Sequence, residues 1–186
     1  CAMEKQRVRD LMIPLDEYAV VGQSATLFDA IKVLDEAQQL LPDGRQPHRA
    51  VLVADDHGNI VGKIGQLAFL KGLEPKFDVS GDSARLERAG VSQEMISSMV
   101  EHSRYLQDSL GDLCARAGAI DVKDVMRPVT EIIDENAPLG EAMHRLVAWQ
   151  QLSLLVTRQG EVIGIIRLSD LFETVADEIR SLNSRE

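Results

Sequence analysis

Cysteine is nearly missing from this sequence, with Cys1 and Cys114 lying 113 positions apart. Two such residues make neither a disulfide framework nor a cysteine metal site, and the usage fits a reducing compartment. Aromatic residues are scarce at 4%, so the core has to be built from Leu, Val, Ile, Ala and Met. Basic residues are in deficit, with 20 Lys and Arg against 30 Asp and Glu, a formal charge of −10. A surface of that sign excludes non-specific nucleic-acid or anionic-membrane binding, which needs a basic face. No apolar run approaches the roughly 18 to 20 residues of a membrane-spanning helix. The start runs straight into charge at Glu4-Lys5, which is not a signal-peptide pattern. Cys1-Ala2 reads as residues ahead of a native Met3 rather than as a lipidated end. The expectation is a cytoplasmic protein with no nucleic-acid and no membrane partner.

Catalytic and metal-binding patterns are missing too. His48, His57, His102 and His144 stand in no H-E-x-x-H or other ligand spacing. No G-x-S-x-G, C-x-x-C or G-x-x-x-x-G-K-[ST] stretch occurs. Acidic pairs such as Asp55-Asp56 and Asp134-Glu135 lie beside turns, where solvated carboxylates are ordinary. No enzyme activity and no metal site are expected.

What the chain does contain is an internal repeat. Val8-Arg9-Asp10-Leu11-Met12-Ile13-Pro14 returns as Val122-Lys123-Asp124-Val125-Met126-Arg127-Pro128. Ala25-Thr26-Leu27-Phe28-Asp29-Ala30 returns as Ala137-Pro138-Leu139-Gly140-Glu141-Ala142, and Gly58-Asn59-Ile60-Val61-Gly62 as Gly160-Glu161-Val162-Ile163-Gly164. Three blocks in the same order are a repeat rather than a coincidence. In each copy a short extended stretch (18–21; 131–133) precedes an amphipathic helix. Its apolar residues fall at i, i+3, i+4 and i+7: Leu27, Ala30, Ile31, Leu34 and Leu139, Ala142, Met143, Leu146. Two apolar runs around a Gly-containing turn then read as a hairpin, 50–54 with 59–64 and 152–157 with 161–166. A helix closes each copy, 67–73 and 168–179. The order β-α-β-β-α, twice, predicts an α/β (α+β) protein with short sheets covered by helices.

Residues 75–120 match neither copy. A short helix is expected at 82–88, stopped at Gly90, and a longer one from an N-cap at Ser92 to Gly118. Ile96, Met99, Ser103, Leu106, Leu110, Leu113, Ala117 and Ile120 make a heptad-like seam along the latter. That seam suits either packing on the repeats or association with a second chain. Cys114 beside it reads as a small core residue.

The ordered set V-x-D-x-M-x-P, A-x-L-x-[DE]-A and a hairpin ending G-I-I-x-x-S-D-L resembles the CBS domain. The resemblance implies a tandem pair, or Bateman module, with repeat 1 at 7–74, a helical inter-repeat segment at 75–120 and repeat 2 at 121–181. It also implies a site for an adenine ligand. Gly164-Ile165-Ile166-Arg167-Leu168-Ser169-Asp170 matches the family's G-h-h-[ST]-x-x-D, whose Asp accepts from ribose hydroxyls. Asp170 takes the ribose position, and Arg167 stands where Ser or Thr is usual, able to hold a phosphate or to block the space. Ser169-Asp170 would equally suit a plain helix start. In repeat 1 Ala68 replaces the Asp, but Pro47-His48-Arg49 resembles the family's phosphate-contacting His-Arg pair. One composite site follows, with Gly164 and Ser169 of the same motif among its residues: Asp170 for ribose, Arg167, His48 and Arg49 for phosphate, and an apolar slot near Ile132, Ile133 and Ile165 for adenine. The implied ligands are AMP, ADP, ATP or S-adenosylmethionine, none of them obligatory. The implied partners are a second copy in a homodimer and an unidentified effector protein. A different class of function is also open, a ligand-free dimerisation or docking scaffold with the 75–120 helix as its surface.

Overall fold

The computed structural model describes residues 6–42, 44–73, 90–92, 94–95, 98 and 110–183. Repeat 1 begins with β1 (Ile13–Pro14), then β2 (Val20–Gly22), α1 (Leu27–Gln39), β3 (Ala50–Ala54), β4 (Ile60–Gly65) and α2 (Gln66–Leu73). A short α3 (Leu110–Ala115) leads into repeat 2. There β5 (Arg127–Pro128), β6 (Ile132–Asp134), α4 (Leu139–Ala148), β7 (Ser153–Arg158), β8 (Glu161–Arg167) and α5 (Leu168–Asn183) follow in the same order. The expected β-α-β-β-α pattern is present twice.

Local chemistry sets the boundaries. Thr26 caps α1: its hydroxyl accepts from the Asp29 amide, while the Asp29 carboxylate accepts from the Thr26 amide at 2.9 Å. These bonds to the charged form hold the Asp29 carboxyl below its ordinary range, the Thr26 amide contributing most. At the β7–β8 turn, Gln159 and Gly160 both adopt positive φ (52° and 88°). That pairing gives the twist a two-residue hairpin needs.

Each sheet has four strands, in the orders β2-β3-β4-β5 and β1-β8-β7-β6. The repeats therefore exchange their opening strands. β1 pairs with β8 (Pro14↔Gly164), and β5 pairs with β4 (Gly62↔Pro128). Val8 is buried in the core of repeat 2 with Leu139, Leu146 and Leu154, and its amide donates to Ala137. Val122 is buried in the core of repeat 1 with Leu27, Val51 and Val53, and its amide donates to Ala25. A third cluster of Ile13, Tyr18, Leu52, Leu155 and Ile165 fills the space where strands of the two repeats meet. Two glycines permit the exchange. A Cβ on Gly62 would overlap Met126, and one on Gly164 would come within 2.5 Å of the Ile13 carbonyl oxygen.

The expected 82–88 helix, and most of the 92–118 helix with its seam, lie outside the described residues. At its described end, Leu110 is 76% exposed while Ala117 and Ile120 pack on the repeat 1 core. Cys114 is exposed, not a core residue.

Candidate functional site

Arg167 is the last residue of β8, and Asp170 lies in the first turn of α5. The strand-to-helix junction folds the two side chains onto each other. Arg167 Nε donates to one Asp170 oxygen at 2.5 Å and Nη2 to the other at 2.6 Å, a bidentate pair. It is buried, with the Arg167 side chain 5% and the Asp170 side chain 10% exposed. The remaining terminal nitrogen reaches across to repeat 1. Nη1 donates to the backbone carbonyls of Gln46 at 2.8 Å and Pro47 at 3.2 Å, and lies 3.4 Å from His48 Nδ1.

His48, 2% exposed, sits at the lead into β3 with its ring edge-on to Tyr18, centroids 4.3 Å apart. Burial pushes the imidazole below its ordinary pKa, and the Arg167 charge pushes the same way. The ring is thus neutral, with Nδ1 facing the guanidinium as acceptor and the proton on Nε2. The Glu17 backbone pulls toward the charged ring, but among the described residues nothing meets hydrogen-bond geometry at Nε2. Burial raises the Tyr18 phenol to about 12 even though Arg167 opposes it, so the hydroxyl stays protonated. The assembly is one cation, one carboxylate and two neutral rings, drawn from both repeats.

Three of the residues expected from sequence, Arg167, Asp170 and His48, therefore meet. Ser169 is half-buried beside them in α5, and Arg49 is exposed. Of the three slot residues, Ile132 and Ile165 share one face of their sheet, both in register with Leu155, and Ile133 faces the other. Ile133 is buried under the helices of repeat 2, Ile165 lies in the inter-repeat cluster, and Ile132 is 43% exposed. Alternation along a strand is the reason: neighbours such as 132 and 133 face opposite sides of the sheet. Gly164 is covered by β1. Tyr18 and the carbonyls of Gln46 and Pro47 were not among the expected residues. Tyr18 is one of two tyrosines in the chain, and a lone aromatic in so poor a composition was the available signal.

A second inter-repeat contact is made by Lys63 of β4, whose Nζ donates to the Ser153 carbonyl at 3.2 Å and hydroxyl at 3.1 Å. Burial lowers its pKa, with Glu131 pulling the other way. Among the described residues no group of three His, Cys, Asp or Glu could hold a metal ion. Among them, too, no helix is long and apolar enough to cross a membrane.

Residues 122–177 match the family model of the CBS domain. No curated protein matches the chain. Among solved structures, a CBS domain-containing protein of unknown function from Bacillus anthracis is similar, with TM-score 0.64, 15% identity, and 95% of this chain and 96% of that one covered. The CBS domain of a CBS domain-containing membrane protein from Sphaerobacter thermophilus has TM-score 0.59 and 22% identity, covering 92% and 89%. The CBS-pair protein CBSX2 from Arabidopsis thaliana has TM-score 0.59 and 20% identity, covering 94% and 96%; CBSX2 is also known in complex with AMP. The family match thus falls on repeat 2. The chain's two repeats have the fold of a CBS pair.

Proposed function

We propose that this CBS pair is a regulatory ligand-sensing module, its repeats at 7–74 and 121–181 flanking the 75–120 segment. It binds an adenine nucleotide or S-adenosylmethionine in at most one strong site and passes a conformational change to an effector protein. The observation that carries this reading is the convergence of Asp170, Arg167 and His48 from two repeats at the start of α5. Asp170 offers a carboxylate to ribose hydroxyls, and Arg167 a planar cation to a phosphate. The AMP complex of CBSX2 supports the ligand class. Because the site draws on both repeats, a ligand that prefers one inter-repeat arrangement shifts the population toward it. We place the module in the cytoplasm as a homodimer. Phe28, Phe172 and Ile179 on the outer faces of α1 and α5 are exposed and suit such an interface.

Thermal unfolding with AMP, ADP, ATP and S-adenosylmethionine tests the reading. A ligand at 100 times its Kd adds about 2.7 kcal/mol of stability. No shift with any of the four at millimolar concentration would overturn it. The same exposed faces also favour a second reading, a ligand-free docking scaffold, which predicts that null result together with a stable dimer.

A further inference from the structure

Arg167 occupies the groups that a nucleotide would use. Both oxygens of Asp170 are engaged by its fork, and the same guanidinium is tied to repeat 1 through the carbonyls of Gln46 and Pro47. A buried ion pair is costly to break by removing one partner, because the other charge is left uncompensated. A neutral ribose offers only hydroxyl donors to Asp170 and nothing for the cation. An anionic group offers the cation a new partner, so the charge is exchanged rather than stranded.

Resting on the ligand reading above, we infer that Arg167 is a latch that makes the site selective for anionic ligands. In the ligand-free protein it closes the cleft and pins the lead into β3 to the start of α5. A phosphate takes the guanidinium away from Asp170 and frees that carboxylate for the sugar. The same movement releases the Gln46 and Pro47 carbonyls, so ligand occupancy is reported in repeat 1 by the segment 46–52. Specificity and signal thus come from one side chain. His48 belongs to the device as the neutral ring that lies against Arg167 without competing for Asp170.

The test compares AMP with adenosine by calorimetry, and amide hydrogen exchange at residues 46–52, on the wild-type protein, Arg167→Gln and Arg167→Lys. The wild type should prefer AMP by roughly 10-fold or more, the scale of one charge-assisted hydrogen bond. Arg167→Gln should bring the two ligands within about 3-fold of each other, as expected once that bond's contribution is removed. It should also speed exchange at 46–52 without any ligand. Arg167→Lys keeps the charge but not the fork, and should retain the AMP preference while still speeding exchange. Adenosine binding the wild type as well as AMP overturns the latch and leaves the nucleotide reading standing. Unchanged exchange at 46–52 in both ligand-free variants overturns it as well. Failure of AMP and adenosine to bind any of the three proteins defeats the nucleotide reading and anion selection together; the exchange result still decides whether Arg167 holds the segment.

Discussion

The strand-to-helix junctions of the two repeats occupy equivalent places and carry opposite chemistry. Gly65 ends β4 opposite Ala50, as Arg167 ends β8 opposite Ser153. Three residues on, buried Ala68 stands where Asp170 stands. Two residues before the third strand, His48 in repeat 1 answers Gln151 in repeat 2. One junction thus has a closed ionic cluster, and the other has a glycine whose missing Cβ would meet open space. The fold tolerates both because the cores beneath them are alike, Leu27, Ala30 and Val53 in one and Leu139, Ala142 and Val156 in the other. The lesson is that the repeat fixes a scaffold and leaves its two clefts free to diverge.

The largest effect expected from disturbing this asymmetry is at Asp170. Asp170→Ala leaves a buried guanidinium without its carboxylate and should cost about 3–5 kcal/mol of unfolding free energy, read by chemical denaturation. Arg167→Gly combined with Asp170→Ala copies the repeat 1 junction into repeat 2, and should recover part of that loss. If the double variant is no more stable than Asp170→Ala alone, the ion pair is not what Asp170 contributes.

Glycines give the next contrast. Gly164→Ala forces β1 off β8 and should cost about 1–3 kcal/mol, whereas Gly65→Ala should change stability by no more than about 0.5 kcal/mol. Equal costs at the two positions would mean the exchanged strand is not held as described.

The capping of the first long helices differs too. α1 has a reciprocal Thr26–Asp29 cap, while α4 starts after Pro138 with no side-chain cap. Thr26→Ala should therefore cost about 1 kcal/mol, with no comparable loss in Pro138→Ala.

A pH slope is the smallest effect. His48 binds its proton less readily folded than unfolded, so the unfolded state holds more protons over the intervening range. Stability should be full above the ordinary histidine range of about 6.5 and fall as pH drops from there toward the folded pKa. His48→Gln should flatten denaturation midpoints between pH 7.5 and 5.5, a window above the carboxylates of Asp29, Asp55 and Glu135, whose pKa values lie lower still. An unchanged slope would place the pH dependence elsewhere.

Much of the architecture was legible in the sequence because it is local. The helical spacing of Leu139, Ala142 and Leu146 and the hairpin runs on either side of Gly58 and Gly160 each carry their own periodicity. The exchange of β1 and β5 was not legible, since two-residue strands have no period and their partners lie more than a hundred positions away or across the connecting segment. At the site, Arg167 and Asp170 were legible as neighbours three positions apart, and the choice left open for Arg167 was between phosphate holder and block. The turn into α5 lays the fork on the carboxylate, a pairing that the spacing alone did not show. Ile133 did not join Ile132 and Ile165 on one face for want of side-chain direction: a resemblance places residues in a strand but not on a face. Tyr18 and the backbone of 46–47 enter only through tertiary packing, which no spacing records.

The most direct measurement is a crystal structure of the protein grown with AMP. The account predicts one nucleotide per chain at the start of α5, ribose on Asp170, phosphate on Arg167, and the Gln46 and Pro47 carbonyls released. A nucleotide at the Gly65–Ala68 junction, or one bound while the Arg167–Asp170 pair stays intact, would contradict it.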